Sequence, residues 1–235
     1  MARFQLTILS LRYSSWSMRA WLVLTHSGAP FETETVELAS FDETTLAERR
    51  ALGSVAGLFP VLRVDGEPIH ESLAIAETVA EAFPDAALWP ETSLDRARAR
   101  AISAEMVGGF SRLRAEMICH LFARTPQFIP SEEARTNIDR IVEIWTECLE
   151  RSGGPFLFGH ASIADFFYYP VLTRFRTYGI RLTEKLEGYA QSVEALPDVE
   201  ALIVKARTEP SIGIYDDYIA GLGGDPTAVI PTVST

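Results

Sequence analysis

A short run of hydroxyl side chains lies where the first predicted strand gives way to the first predicted helix. Ser14, Ser15 and Ser17 fall within YSSWSMRAW, and Arg19 follows two residues later. Serine is a preferred helix N-cap, so these hydroxyls could serve only to satisfy free backbone N–H groups. The same place is the positive end of the helix dipole, where a hydroxyl can also hydrogen-bond an anionic sulfur. The run therefore predicts either plain capping or a thiolate site, and Arg19 either approaches an anion or forms a surface ion pair.

Two further polar motifs lie at predicted element boundaries. In LFPVL, Pro60 either starts a strand or follows a cis peptide bond. A cis bond would turn the backbone N–H and C=O of Phe59 toward a peptide-like ligand. In HESLAI, Ser72 can cap a helix or bind a carboxylate together with the free N–H groups, and Glu71 can hold an ammonium group.

The elements that must position these motifs begin with an alternation of strand and helix. Residues 4–11 alternate apolar and polar side chains and predict a strand, and the helix that follows ends at Gly28. Residues 31–38 predict a second strand, which a right-handed crossover places parallel to the first. We expect the polar stretch 39–56 to be mobile.

The next motifs complete a recognisable order of elements. Asp65-Gly66 lies between two short apolar runs and predicts a hairpin. Residues 72–83 then predict a helix, with Ser72 as its N-cap. The order β-α-β followed by β-β-α within residues 1–84 is typical of a thioredoxin-like domain.

The rest of the chain predicts helices only. Residues 84–94 resemble a linker, and an all-helical domain follows over 94–208. The motif SIAD predicts a capping box formed by Ser162 and Asp165. Such a box stabilises the start of a helix and has no catalytic role. We expect residues 209–235 to pack as a loosely structured extension. From Asp95 onward, apolar residues recur at spacings of three or four and predict one long amphipathic helix. The apolar positions of this predicted helix are Ile102, Met106, Phe110, Leu113, Met117 and Leu121.

Composition limits the classes of function. The 235 residues carry a formal net charge of −11, which argues against a nucleic-acid partner. Two cysteines outside any CxxC motif favour a reducing, cytoplasmic location over a disulfide framework. No apolar run is long enough for a membrane span, and the N-terminus does not resemble a signal peptide. The four histidines do not show a metal-ligand spacing, so no metal is expected.

Taken in order, YSSWSMRAW, FPVL, HESLAIAE and SIAD resemble the soluble glutathione S-transferase superfamily to about residue 208. The opening is similar to the zeta-like S-S-x-S-x-R run and to a bacterial pattern S-S-W-S-x-R. The resemblance implies a thioredoxin-like domain that binds glutathione, a helical domain that supplies the electrophile pocket, and a homodimer. Conjugation of glutathione to small electrophiles is the activity that it implies first.

The resemblance also implies roles for individual residues. Ser14 or Ser15 would face the glutathione sulfur and lower the pKa of the thiol. Arg49 and Arg50 are candidates for the glycine carboxylate. The implied glutathione contacts are Ser17, Arg19, Phe59, cis-Pro60, Glu71 and Ser72. The implied electrophile pocket contains Tyr13, Met106, Phe110 and Arg114, although Met106 and Phe110, like Met117, also fit a bundle core.

Departures from the family patterns leave two alternatives open. Trp16 stands where the zeta pattern has cysteine, and residues 1–118 contain no cysteine, which argues against thiol-using types. A glutathione-dependent cis–trans isomerase of a maleyl-type diacid would need a basic pocket. A non-catalytic glutathione-binding module would bind without turnover, because a fold does not fix a function.

Overall fold

The computed structural model describes residues 3–36 and 43–229. The sheet of the N-terminal half has four strands: β1 (Phe4–Ile8), β2 (Phe31–Thr35), β3 (Val61–Val64) and β4 (Glu67–His70). Their order in the sheet is β2-β1-β3-β4. β1 pairs in parallel with β2 and antiparallel with β3, and β3 pairs antiparallel with β4.

The helices of the N-terminal half follow the predicted order with one addition. The hairpin between β3 and β4 turns at Asp65 and Gly66, both with positive φ, as the Asp-Gly pair predicts. The stretch 39–56, which we expect to be mobile, contains a helix at Glu43–Ala51 that the sequence analysis does not predict, while residues 37–42 lie outside the described residues. The helices are α1 (Ser15–His26), α2 (Glu43–Ala51) and α3 (Ser72–Ala82), followed by a 3-10 turn (Pro84–Ala86). This β-α-β, β-β-α order is a thioredoxin-like domain, and that prediction is confirmed.

As predicted, the regular structure of the C-terminal half up to residue 229 is helical, apart from an isolated bridge between Arg124 and Asp225. The predicted capping box is present at the start of the helix Ile163–Thr177, where Ser162 N–H donates to Asp165 Oδ2 at 2.9 Å. The helices are α4 (Ser93–Gly108), α5 (Ser111–Glu116), α6 (Glu132–Ser152), α7 (Ile163–Thr177), α8 (Glu184–Glu194), α9 (Pro197–Arg207) and α10 (Gly213–Gly221).

The prediction of one long helix from Asp95 is wrong, because the chain breaks between α4 and α5. Gly109 is extended and Phe110 adopts a left-handed conformation, with φ of 59°. Glycine is a poor helix former, so the Gly108-Gly109 pair weakens the helix at this point. The guanidinium of Arg114 donates to the carbonyls of Met106 and Gly109 and so satisfies the end of α4.

The expectation of a loosely structured C-terminal extension is also wrong for residues 209–229. Glu209 accepts hydrogen bonds from Ser10 Oγ at 2.6 Å and from Leu11 N–H at 2.9 Å, and α10 follows. The backbones of Arg124 and Asp225 then pair with each other. Residues 230–235 lie outside the described part of the chain. The segment beyond 208 therefore closes back onto the loop after β1.

The two halves share a continuous apolar core. α1 packs on α3 within its own half and on α7 and α9 of the helical half. Met18, Leu22 and Phe166 are fully buried in this core. Because the packing fixes α1 between the halves, its N-terminus has a defined position beside the helical domain.

Candidate active site

A cavity of about 740 Å³ lies between the sheet domain and the helical domain. This size falls within the range of ordinary ligand pockets. Its walls come from the loop after β1 with the start of α1, the segment before β3, the start of α3, α5 with the segment after it, α7 and the segment containing α10. Most of the predicted site motifs therefore meet at one place, although they lie far apart in sequence.

Ser14 lines the cavity and is also the N-cap of α1. Its Oγ accepts from Ser17 N–H at 3.2 Å and from Ser17 Oγ at 3.0 Å. A hydroxyl has two lone pairs and one proton, so these contacts leave the Ser14 proton for a ligand. Ser17 is fully buried, does not line the cavity, and accepts from Leu9 N–H. Ser17 thus orients Ser14, and the structure gives no direct route from Ser17 to a ligand.

Ser15 lines the cavity beside an arginine that the sequence reasoning missed. Arg174 of α7 donates from Nη2 to Ser15 Oγ at 3.4 Å and from Nε to Met117 O at 2.7 Å. Arg174 is 4% exposed and lines the same cavity. Among the described residues it forms no salt bridge, so its charge faces the cavity without compensation. The signal in the sequence was a pair of arginines on the largely apolar and aromatic α7, of which Arg176 pairs instead with Glu187 and Glu194.

The peptide bond between Phe59 and Pro60 is cis, as the resemblance implied, and both residues line the cavity. Within residues 3–36 and 43–229, no hydrogen-bond partner is found for the backbone N–H or C=O of Phe59. Ser54 Oγ donates to the neighbouring Leu58 carbonyl. The Phe59 backbone is therefore available to pair with a peptide-like ligand.

The start of α3 forms the part of the cavity wall that lies opposite the Phe59 backbone. Glu71 has a positive φ of 71° and occupies the N-cap position, so the prediction that Ser72 is the N-cap is wrong. Ser72 is instead the first residue of α3 and is 2% exposed. Its Oγ has no hydrogen-bond partner among the described residues. An unsatisfied buried hydroxyl is costly, so this group is poised for a ligand.

The other half of the cavity is mainly aromatic and apolar. Tyr13 and Arg114 line it, together with Trp16, which lies 5.0 Å from the Arg114 guanidinium. Burial, with a further contribution from Arg174, lowers the pKa of Arg114 to about 10. It therefore remains a cation at neutral pH.

Several predicted site residues lie outside the cavity lining. Met106 and Phe110 are buried in the core, which is the alternative that their spacing left open. Arg19 is fully buried, donates from Nε to Phe167 O at 2.9 Å and stacks on Trp16. Burial lowers its pKa. The assignment of Arg19 to a ligand is corrected, because an interdomain contact occupies its side chain.

The two candidates for the glycine carboxylate are also absent from the lining. Arg49 is buried and donates from Nη1 to Gly57 O, and Arg50 donates from Nε to Val55 O. In their place the lining contains His70, which directly precedes Glu71. In the described residues, no group of three or more His, Cys, Asp or Glu is placed to hold a metal ion.

Comparison with known proteins identifies the family. Residues 13–82 match the glutathione S-transferase N-terminal domain, and residues 91–198 match the glutathione S-transferase C-terminal domain. A probable maleylacetoacetate isomerase of Caenorhabditis elegans is 27% identical over 79% of this chain and 90% of its own length. The maleylacetoacetate isomerase of Dictyostelium discoideum is 26% identical over 80% of this chain and 93% of its own length.

Solved structures show the same fold. A glutathione transferase homologue from Burkholderia, with bound glutathione, superposes with a TM-score of 0.68 at 24% identity, covering 88% of this chain and all (100%) of that one. A Tau class glutathione S-transferase from mango gives a TM-score of 0.66 at 21% identity, covering 94% and 98%.

The chain belongs to the glutathione S-transferase family, and it is an enzyme of this glutathione-using class. The predictions of the family and of the fold class, a thioredoxin-like domain followed by a helical domain, are confirmed. None of the helices in the described residues has the length and apolarity needed to cross a bilayer.

Proposed function

We propose that this chain binds glutathione in the interdomain cavity and activates its thiol for attack on a small electrophile. The observation that carries this proposal is the convergence of three ligand-ready groups on one cavity. They are the Ser14 proton, the backbone of Phe59 and the hydroxyl of Ser72, none of which has a hydrogen-bond acceptor or donor partner in residues 3–36 and 43–229.

The proposed pose follows from the chemistry of these groups. Ser72 and the first N–H groups of α3 receive the γ-glutamyl carboxylate, because a helix N-terminus attracts anions. Glu71 holds the ammonium group of the same residue. The Phe59 backbone pairs with the cysteinyl part of glutathione, beside cis-Pro60. The thiol then points toward the start of α1, where Ser14 and Ser15 lie.

Activation of the thiol follows from its surroundings. A free thiol has a pKa of about 8.5, so only a small fraction is ionised at neutral pH. A hydrogen bond from Ser14, the dipole of α1 and the uncompensated charge of Arg174 all favour the thiolate. Ser15 is the second candidate donor. The thiolate sulfur forms a bond to the electrophilic carbon, and the leaving group departs with its electron pair.

Ultraviolet difference spectroscopy tests this proposal. Glutathione added to the protein and titrated from about pH 5 to 9 should show a thiolate band well below the free pKa of about 8.5. Ser14→Ala should abolish the band if Ser14 is the donor, and Ser15→Ala should do so if Ser15 is. Binding without a band would indicate a non-catalytic binding module, and the absence of binding would refute the proposal.

A second candidate reaction is cis–trans isomerisation of a maleyl-type diacid. Arg114 and Arg174 place two positive charges in the cavity wall, and a pocket with this charge suits a substrate carboxylate. Curated relatives are named maleylacetoacetate isomerase. In this reaction the thiolate adds to the double bond, rotation follows, and elimination regenerates the thiolate.

Product analysis separates the two reactions. Conjugation consumes one glutathione for each electrophile, whereas isomerisation leaves the glutathione concentration unchanged. Arg114→Gln should raise the KM for a maleyl diacid about tenfold or more by removing a charge-assisted hydrogen bond. The KM for a neutral electrophile should change little. Equal effects on both substrates would contradict a carboxylate-binding role.

We also propose a homodimer in the cytoplasm, on the basis of the family and of the cysteines. Cys119 and Cys148 are both free and buried, as expected for a protein kept in a reducing compartment. Light scattering at micromolar concentration tests the dimer, and fractionation of the source cell tests the location.

A further inference from the structure

One wall of the cavity comes from a segment beyond the matched family domains. The match to the C-terminal domain ends at residue 198, whereas Ile212, Ile214, Tyr215 and Tyr218 all line the cavity. The ring centroids of Tyr215 and Tyr13 lie 4.9 Å apart. Residues 209–221, here called the C-terminal wall, therefore supply aromatic and aliphatic surface to the second-substrate half.

The C-terminal wall is held by a small polar cluster around Asp216. Asp216 Oδ1 accepts from Tyr13 OH at 2.8 Å and from His120 Nε2 at 2.8 Å, and Arg12 Nη2 lies 3.7 Å away. A carboxylate only accepts hydrogen bonds, so His120 donates from Nε2. Tyr13 OH in turn accepts from Ile212 N–H at 3.2 Å. One carboxylate thus joins the wall to the loop that carries Ser14.

We propose that Asp216 is a positioning residue: together with Glu209 it holds the C-terminal wall against the loop after β1, and it thereby determines how well the second-substrate half accepts a planar apolar group. Asp216 does not line the cavity and makes no contact with the glutathione subsite residues Phe59 and Ser72. Its effect must therefore pass through Tyr13 and the wall. The effect on the second substrate rests on the proposed function, whereas the role of Asp216 in holding residues 209–221 does not.

The geometry predicts which quantities change when the cluster is weakened. Asp216→Asn keeps the shape and one acceptor oxygen but removes the charge that three neighbouring groups face. The wall should then open more often, because charge-assisted hydrogen bonds are about twice as strong as neutral ones. Binding of a planar substrate should weaken about tenfold, and glutathione binding should not change.

The neighbouring Asp217 provides a matched control. It is exposed and takes part in no hydrogen bond or ion pair among the described residues, so Asp217→Asn makes the same chemical change outside the cluster. The variant Tyr215→Ala removes one aromatic face of the wall without touching Asp216. Together the three variants separate loss of charge, loss of position and loss of apolar surface.

The test compares the full-length wild type with these variants. Kinetics use glutathione with a planar aryl halide, chlorodinitrobenzene, and with a small alkyl halide, iodomethane. Hydrogen exchange of residues 209–221 is measured on the same proteins. We expect Asp216→Asn to raise exchange and to raise the KM for the aryl halide about tenfold, with glutathione KM unchanged. Tyr215→Ala should impair the aryl halide selectively, and Asp217→Asn should match the wild type.

The outcomes distinguish this inference from the proposed function. Exchange in Asp216→Asn that equals exchange in Asp217→Asn would overturn the positioning role, whatever the activity. Equal losses with both halides would overturn the specificity role. If no halide is turned over, the proposed function fails, while increased exchange in Asp216→Asn alone would still support Asp216 as a residue that holds the wall.

Discussion

Replacing Ser72 by alanine should have opposite effects on stability and on ligand binding. In the free protein the Ser72 hydroxyl is buried without a partner among the described residues. A buried polar group without a hydrogen bond costs about 1–3 kcal/mol. Removing it should therefore raise the free energy of unfolding by about 1 kcal/mol, with a further small gain because alanine is the better helix former.

The same substitution should weaken glutathione binding. A hydrogen bond to a charged carboxylate contributes about 1.5–3 kcal/mol, and about 1.4 kcal/mol corresponds to a tenfold change in affinity. The Kd for glutathione should therefore rise at least about tenfold. Calorimetric titration measures the Kd, and urea unfolding without glutathione measures the stability. For a chain of this size, 1 kcal/mol also corresponds to about 2–4 °C in Tm.

Ser103→Ala is the matched control for this prediction. Ser103 in α4 is fully buried and its Oγ also lacks a partner in the described part of the chain, but it does not line the cavity. Its replacement should stabilise the protein in the same way and leave the glutathione affinity unchanged. If Ser72→Ala instead loses stability and keeps its affinity, Ser72 is a structural residue and the proposed carboxylate subsite is wrong.

Three further predictions concern charge and backbone. Arg174→Gln removes a cation beside Ser15 that has no ion-pair partner among the described residues. The pKa of the bound glutathione thiol, measured by ultraviolet titration, should therefore rise by about one to three units. An unchanged pKa would exclude Arg174 from activation of the thiol. Burial raises the pKa of Asp165 from 3.8 to about 6, so the folded state holds this proton more tightly than the unfolded state. Stability from this group is therefore lost as pH rises from about 4 to about 6, by about 3 kcal/mol, and urea unfolding of Asp165→Asn should lack this loss. Gly66→Ala should destabilise the protein by about 1 kcal/mol because φ is +96° at Gly66. Gly188→Ala inside α8 should stabilise the protein by about as much. Tm shifts of the same sign for the two variants would contradict this backbone argument.

The sequence predicts local elements well where one residue type leaves few alternatives. Asp65-Gly66 demands positive φ at two adjacent positions, so the hairpin between β3 and β4 followed directly. Ser162 and Asp165 formed the capping box for the same kind of reason. Periodicity alone was less informative, because a three-or-four spacing continues across Gly109 although the helix does not.

The sequence could not predict groups that reach the site through tertiary packing. Arg174 lies 159 residues from Ser15, and only the packing of α7 beside α1 brings the two together. The C-terminal wall was missed for a similar reason. Glu209 is anchored by backbone N–H groups that lie almost 200 residues earlier, and local composition carries no trace of such a contact. Arg19 is the opposite case. Its place in the motif suggested contact with a ligand, whereas its buried side chain donates to the backbone carbonyl of Phe167.

The distribution of charge leads to a test of how an anionic ligand reaches the cavity. The chain carries a formal net charge of −11, and glutathione is itself an anion at neutral pH. Long-range repulsion between exposed charges is screened within about 8 Å at physiological salt, whereas buried groups such as Arg174 are screened much less. Raising the ionic strength from about 0.01 M to 0.15 M should therefore increase the association rate constant of glutathione. The dissociation rate constant should change little, because contacts inside the cavity determine it. Stopped-flow tryptophan fluorescence measures both, and an association rate that falls with salt would mean that the cavity arginines attract the ligand from a distance despite the acidic surface.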